Sequence, residues 1–133
     1  MIQYKDDRLY RDLITNKVRA DIRVVLVAVM SYMESKGLDV MITSVLDEVG
    51  VSRKSSTHKD GRAIDIRTRD WPPGLADEVT AWINKRFSTG EKFDPQRIML
   101  VAKNHNAGWG DHIHLQVAKR PLIIETSEGG INI

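Results

Sequence analysis

Ser56-Thr57-His58-Lys59-Asp60-Gly61-Arg62-Ala63-Ile64-Asp65 is the stretch that decides how this chain folds, and Asp111-His112-Ile113-His114 is its counterpart near the other end. The first stretch holds a histidine and a carboxylate seven residues apart, His58 and Asp65. On an uninterrupted strand that separation puts them on opposite faces. Gly61 lifts the objection, because glycine accepts φ > 0 and lets the chain turn so that both side chains aim at one point. Ala63 adds little bulk beside them. In the second stretch His112 and His114 alternate with Ile113, Leu115 and Val117, the period-two signature of a strand with one polar and one apolar face. The two histidines therefore point the same way. Asp111 follows Gly108-Trp109-Gly110, where irregular backbone is expected to swing its carboxylate towards them. Histidine and carboxylate ligands of this kind build catalytic zinc sites, three from the protein and a fourth position open to water.

Working outward, residues 17–36 place Val18, Ile22, Val25, Leu26, Val29 and Met33 at helical spacing, and Gly37 supplies the stop. Residues 39–45 read as a buried strand and 51–57 as a polar loop leading into the first motif. Residues 63–67 read as a short strand, and Trp71-Pro72-Pro73-Gly74 as a turn that starts a helix. That helix runs over 75–87 with Leu75, Val79, Trp82, Ile83 and Phe87 on its apolar side, and Gly90 ends it. Residues 97–102 look like a strand, 103–110 a loop and 111–117 the strand that bears the histidines. This order predicts an α+β fold, a small antiparallel sheet with packed helices. Its 133 residues suit a single domain, with the tail after about residue 121 loosely held.

The pattern Ser-x-His-x-x-Gly-x-Ala-x-Asp, matched by Ser56, His58, Gly61, Ala63 and Asp65, followed by Asp-x-x-His at Asp111 and His114, resembles the D-alanyl-D-alanine carboxypeptidase group of zinc peptidases. That group includes phage L-alanyl-D-glutamate endolysins and is related to lysostaphin-type peptidases and the hedgehog signalling domain. The resemblance implies a fold of that kind, zinc as cofactor, and His58, Asp65 and His114 as its ligands. It makes Asp111 the carboxylate that takes a proton from water, with His112 as the rival for that role. Asp111 has a second reading, as a carboxylate that orients a ligating histidine. The implied activity is hydrolysis of an amide bond in the stem peptide of bacterial peptidoglycan, as a bacteriolytic endolysin. The L-alanyl-D-glutamate bond is the expected target, with D-alanyl-D-alanine cleavage as the enzymatic alternative. The hedgehog relationship keeps open a non-catalytic zinc module or structural phage component.

The chain departs from the family upstream, where a Thr-Ser-Gly-Tyr-Arg-like segment normally supplies an arginine to the substrate. Here Thr43-Ser44 is followed by Val45-Leu46-Asp47. Arg53 and Arg62 are the candidate replacements, since a planar guanidinium grips carboxylates and oxyanions; either also reads as an ordinary solvated residue. His105 and Trp109 are candidates for a substrate wall, although Trp109 reads equally well as a core plug. Ser56 is a candidate site residue that caps the turn or hydrogen-bonds Asp65.

The absence of cysteine excludes thiolate ligands and a catalytic thiol. A net charge of +2 with pI near 9.0 suits an anionic partner such as cell wall but decides little. Basic and acidic residues are interspersed without a stacking platform, so nucleic acid is not an expected partner. Residues 1–10 carry no apolar signal core, and the run from Val24 to Met30 is too short to span a bilayer. The expectation is a monomer made in the cytoplasm without a signal peptide, not inserted in a membrane, and acting on the wall after release.

Overall fold

Ala63–Arg67 forms a strand in the computed structural model, which describes residues 2–46, 56–105 and 111–125. Around it lie, in chain order, β1 (Ile2–Tyr4), α1 (Asp7–Leu13), α2 (Ala20–Ser35), β2 (Val40–Ser44), the single turn α3 (Ser56–Lys59), β3 (Ala63–Arg67), α4 (Leu75–Arg86), β4 (Phe87–Ser88), β5 (Lys92–Asp94), β6 (Arg97–Ile98), β7 (Ala102–His105), β8 (His112–Gln116) and β9 (Ile123–Ile124). The fold is α+β. Its main sheet has the order β1-β2-β3-β8-β7, with short ribbons β4-β9 and β5-β6 beside it.

The sheet was expected to be antiparallel, and its four later strands are; β1 runs parallel to β2. Sequence reading missed β1 and α1, two short elements. The cue for α1 was Asp6, whose carboxylate accepts a hydrogen bond from Arg8 N and so caps the first turn.

Alternation divides the sheet into two faces. Ile42, Ile64, Ile66, Ile113 and Leu115 are fully buried on one side, where the helices pack. α2 contributes Ile22, Val25, Leu26, Val29 and Met33, and α4 contributes Leu75, Val79 and Ile83. Burying side chains of this size is worth about 1.5–3 kcal/mol each, so this layer holds the sheet flat against the helices. The other face carries Asp65, Arg67, Lys103, His105, His112 and His114, which occupy the alternate ladder positions.

α4 carries Asp77 and Glu78 in its first turn and Lys85 and Arg86 in its last, the arrangement that its dipole favours. It stops at Phe87 rather than at Gly90. Phe87 is already extended (φ −128°, ψ 143°), buried, and paired with Ile124, so tertiary pairing ends the helix before glycine does. The strand expected over 97–102 is two pieces. β6 turns back on β5 through Asp94, whose carboxylate accepts from Gln96 N, and β7 begins only at Ala102. Residues 103–105 thus belong to a strand instead of a loop. The Asn84 side chain of α4 clamps this edge, donating to Ala102 O and accepting from Ala102 N. Among the described residues no helix is long and apolar enough to cross a membrane.

Candidate metal centre

Asp65 and His114 stand opposite each other in the β3–β8 ladder. Paired residues present their side chains on the same side, and His114 Nδ1 lies 2.8 Å from Asp65 Oδ1. His58 reaches the same carboxylate from α3. That turn is closed by Gly61 N donating to His58 O (3.1 Å) and Arg62 N to Thr57 O (2.7 Å), after which the chain enters β3. Gly61 makes the reversal at φ +69°, as its place between His58 and Asp65 requires. It also lies so close to residue 17 that a Cβ would sit 1.8 Å from Lys17 O. The outcome is His58 Nε2 3.2 Å from Asp65 Oδ1. One donor atom from each of His58, Asp65 and His114 lies within 4.8 Å of the others.

The donor set fits a metal ion, and the hydrogen bonds behind it say which atoms face inward. His58 Nδ1 is 2.9 Å from Val45 O, so this nitrogen donates and Nε2 keeps its lone pair. His114 is held the other way round. Gln116 donates its amide to Leu100 O (2.8 Å), which turns its carbonyl oxygen to His114 Nε2 at 3.1 Å and leaves Nδ1 towards Asp65. Partners of this kind fix tautomer and ring orientation in metal sites. Burial pushes the Asp65 carboxyl up, but when the inward nitrogens of His114 and His58 carry the protons that a metal ion would displace, their hydrogen bonds and charge outweigh it. The carboxyl is held well below the usual carboxylate range and stays ionised at neutral pH.

A bulge in β2 helps to build this pocket. The register against β3 shifts between Ile42 and Ser44, so Ile42 pairs on the core side while Ser44 pairs with Asp65. Ser44 Oγ lies 3.5 Å from His58 Nδ1, and Val45 O follows it.

All four histidines of the chain gather here. The His58 and His114 rings are 5.1 Å apart, His105 stacks on His112 at 5.2 Å and 25°, and His105 is 6.0 Å from His114. Burial, then the charges of His112, His114 and Lys103, lower the His105 pKa, which favours the neutral, proton-accepting ring. A cavity of about 590 Å³ opens beside His114, lined also by His105, Lys103, Arg62, Gln116 and Phe93.

Other residues singled out from sequence are placed differently. Asp111 is outside the three-residue cluster. Alternation gives it the parity of Ile113, and it lines a separate cavity of about 200 Å³ with Thr68, Asn104 and Asp77 on the α4 side. The expected swing of its carboxylate towards the histidines is not seen: the bond from Thr68 N to Asp111 O at 3.0 Å continues the β3–β8 ladder to this residue, and regular alternation turns its side chain away from His114. Arg62 borders the large cavity, but its guanidinium is buried and donates to Val117 O and Asp60. Ser56 is the first residue of α3. Arg53 and Trp109 lie outside the described residues. Sequence reasoning missed Val45, Gln116 and Lys103. Gln116 had a usable signal, two residues beyond His114 on the same strand face.

Comparison of the chain with protein-family models, with curated proteins and with solved structures gives no match in any of the three.

Proposed function

We propose that this chain is a zinc-dependent peptidase that hydrolyses an amide bond in the stem peptide of bacterial peptidoglycan, the L-alanyl-D-glutamate bond first and D-alanyl-D-alanine as the alternative. The observation that carries the reading is the convergence of His58, Asp65 and His114 beside an open cavity. The motif resemblance supplies the bond class, and with it a fold of the hedgehog and D-alanyl-D-alanine peptidase kind. Imidazole nitrogens with one carboxylate suit zinc among the common divalent ions. The chemistry zinc supplies is Lewis acidity, in which water is acidified to a pKa of about 7 and a carbonyl oxygen is polarised.

His58, Asp65 and His114 would hold the ion, while Val45 O and Gln116 keep both rings in register. A proton acceptor is also needed, first to take the proton of the attacking water and then to pass it to the leaving amine. The resemblance offers Asp111, whereas the sheet face favours His112 and His105, which stand on the same side as His114. A non-catalytic zinc module is the reading of another class, supported by Asp111 standing apart from the cluster.

Digestion of purified peptidoglycan by the zinc-loaded protein tests this, with the released ends identified by mass spectrometry. New alanine carboxyl and glutamate amino ends, lost in His114→Ala, support the peptidase. Zinc bound without cleavage of any stem-peptide bond selects the non-catalytic module. Asp111→Asn and His112→Gln, assayed together, identify the base by which one abolishes turnover.

A further inference from the structure

Lys103 pairs directly with His114 in the β7–β8 ladder, so its side chain leaves the sheet on the face that bears Asp65, His112 and His114. It is half-buried and lines the cavity of about 590 Å³ beside His114. Its charge is also felt at His105, the next residue on that face of β7. The cavity is cationic on balance, with Arg62, Lys103 and Lys119 against Glu91. The three cations differ in what they have left to give. Arg62 is committed to Val117 O and Asp60, and Lys119 is exposed beyond the end of β8. Lys103 has no ion pair among the described residues.

A lysine whose stem packs on the sheet face, whose head reaches the cavity and which has no ion pair to break among the described residues can take up a carboxylate beside the cation-binding cluster through a charge-assisted hydrogen bond. Facing residues of a ladder are only about 4.5–5.5 Å apart, so that anion would lie within one residue of whatever the cluster acts on. We propose that Lys103 binds a carboxylate of the ligand, carried on the residue next to the scissile amide, and thereby makes the site selective for acidic peptides. This rests on the peptidase reading for the position of the bond, but the anion site itself does not.

Two pairs of acetylated stem-type peptides test the proposal, each pair differing only in a carboxylate or a carboxamide on the residue after the scissile bond. One pair is N-methylated at the scissile amide, so that it binds without being cut. Calorimetry on the zinc-loaded full chain should show the carboxylate form bound about ten- to a hundredfold tighter, as for a charge-assisted hydrogen bond. Lys103→Met should erase that gap by weakening the carboxylate peptide alone, at unchanged zinc content, and Lys103→Arg should restore most of it. Equal binding of the two forms by the wild type, binding of neither, or a gap that survives in Lys103→Met overturns the proposal. The unmethylated pair separates the two claims. A Lys103-dependent gap without cleavage sinks the peptidase and keeps the anion site, while equal cleavage of both forms keeps the peptidase and sinks the anion site.

Discussion

Replacing Gly61 with alanine should cost far more than the loss of a flexible residue, and a second glycine in the same chain shows why. Gly61 and Gly37 share nearly the same backbone, φ +69° and +71°. An alanine in that left-handed region is strained by about 1–2 kcal/mol at either place. The surroundings differ. A Cβ on Gly37 meets nothing within 4 Å, whereas one on Gly61 falls 1.8 Å from Lys17 O and 2.9 Å from Val18 Cα, both backbone atoms. That backbone is tied down, since Arg19 N donates to Gly61 O at 3.0 Å and Arg19 also bonds Ala118 O. Forcing a methyl into a packed contact of this type adds about 1–3 kcal/mol. Gly61→Ala should therefore lose about 2–5 kcal/mol and Gly37→Ala about 1–2. At about 4 °C per kcal/mol for a chain of this size, the Tm falls are about 8–20 °C and 4–8 °C. Urea unfolding followed by circular dichroism measures both. Because Gly61 also sets the turn between His58 and Asp65, zinc affinity should fall in that variant and stay unchanged in Gly37→Ala. Equal losses in the two variants would mean that residue 61 does not approach the 17–18 backbone, and the account of how His58 reaches Asp65 would fail.

The remaining expectations concern the ligands and their supports. Gln116→Leu should weaken zinc binding about 10–100-fold by freeing the His114 ring, with Gln116→Glu retaining most of the affinity, as read by competition with a chromophoric chelator. The depressed Asp65 carboxyl contributes stability above its unfolded value, near 3.9, and loses it as pH falls from there towards the lower folded value. In the metal-free protein the stability gap between wild type and Asp65→Asn should be full at pH 5 and shrink below about pH 4; a gap unchanged down to pH 2 contradicts the pairing with His58 and His114. Zinc at a hundred times its dissociation constant should stabilise the fold by about 2.7 kcal/mol, so a chelator should lower the Tm by about 10 °C; no shift would mean no binding to the native state.

Much of the candidate site was legible because the residues that could hold a metal ion sit on regular elements. The alternation of His112 and His114 with Ile113 and Leu115 predicted their common face, and β3 occupies the expected residues 63–67. Gly61 was readable as the turn that reconciles His58 with Asp65. The same alternation argued against Asp111 as a partner of His114. Three residues apart on one strand they have opposite parity, and only an irregular start to β8 would have joined them. Lys103 and the bulge at Thr43 left no trace in the sequence, because both depend on register between strands distant along the chain. The parallel β1, three residues long, is too short for any periodic signal.

Zinc stoichiometry, measured by elemental analysis after dialysis on wild type, His58→Ala, Asp65→Ala and His114→Ala, addresses the central claim most directly. The account predicts about one zinc per chain in the wild type and almost none in each variant, with the fold retained by circular dichroism. Wild-type protein that keeps no zinc, or variants that keep as much as it does, would contradict the claim that these three side chains form a metal centre.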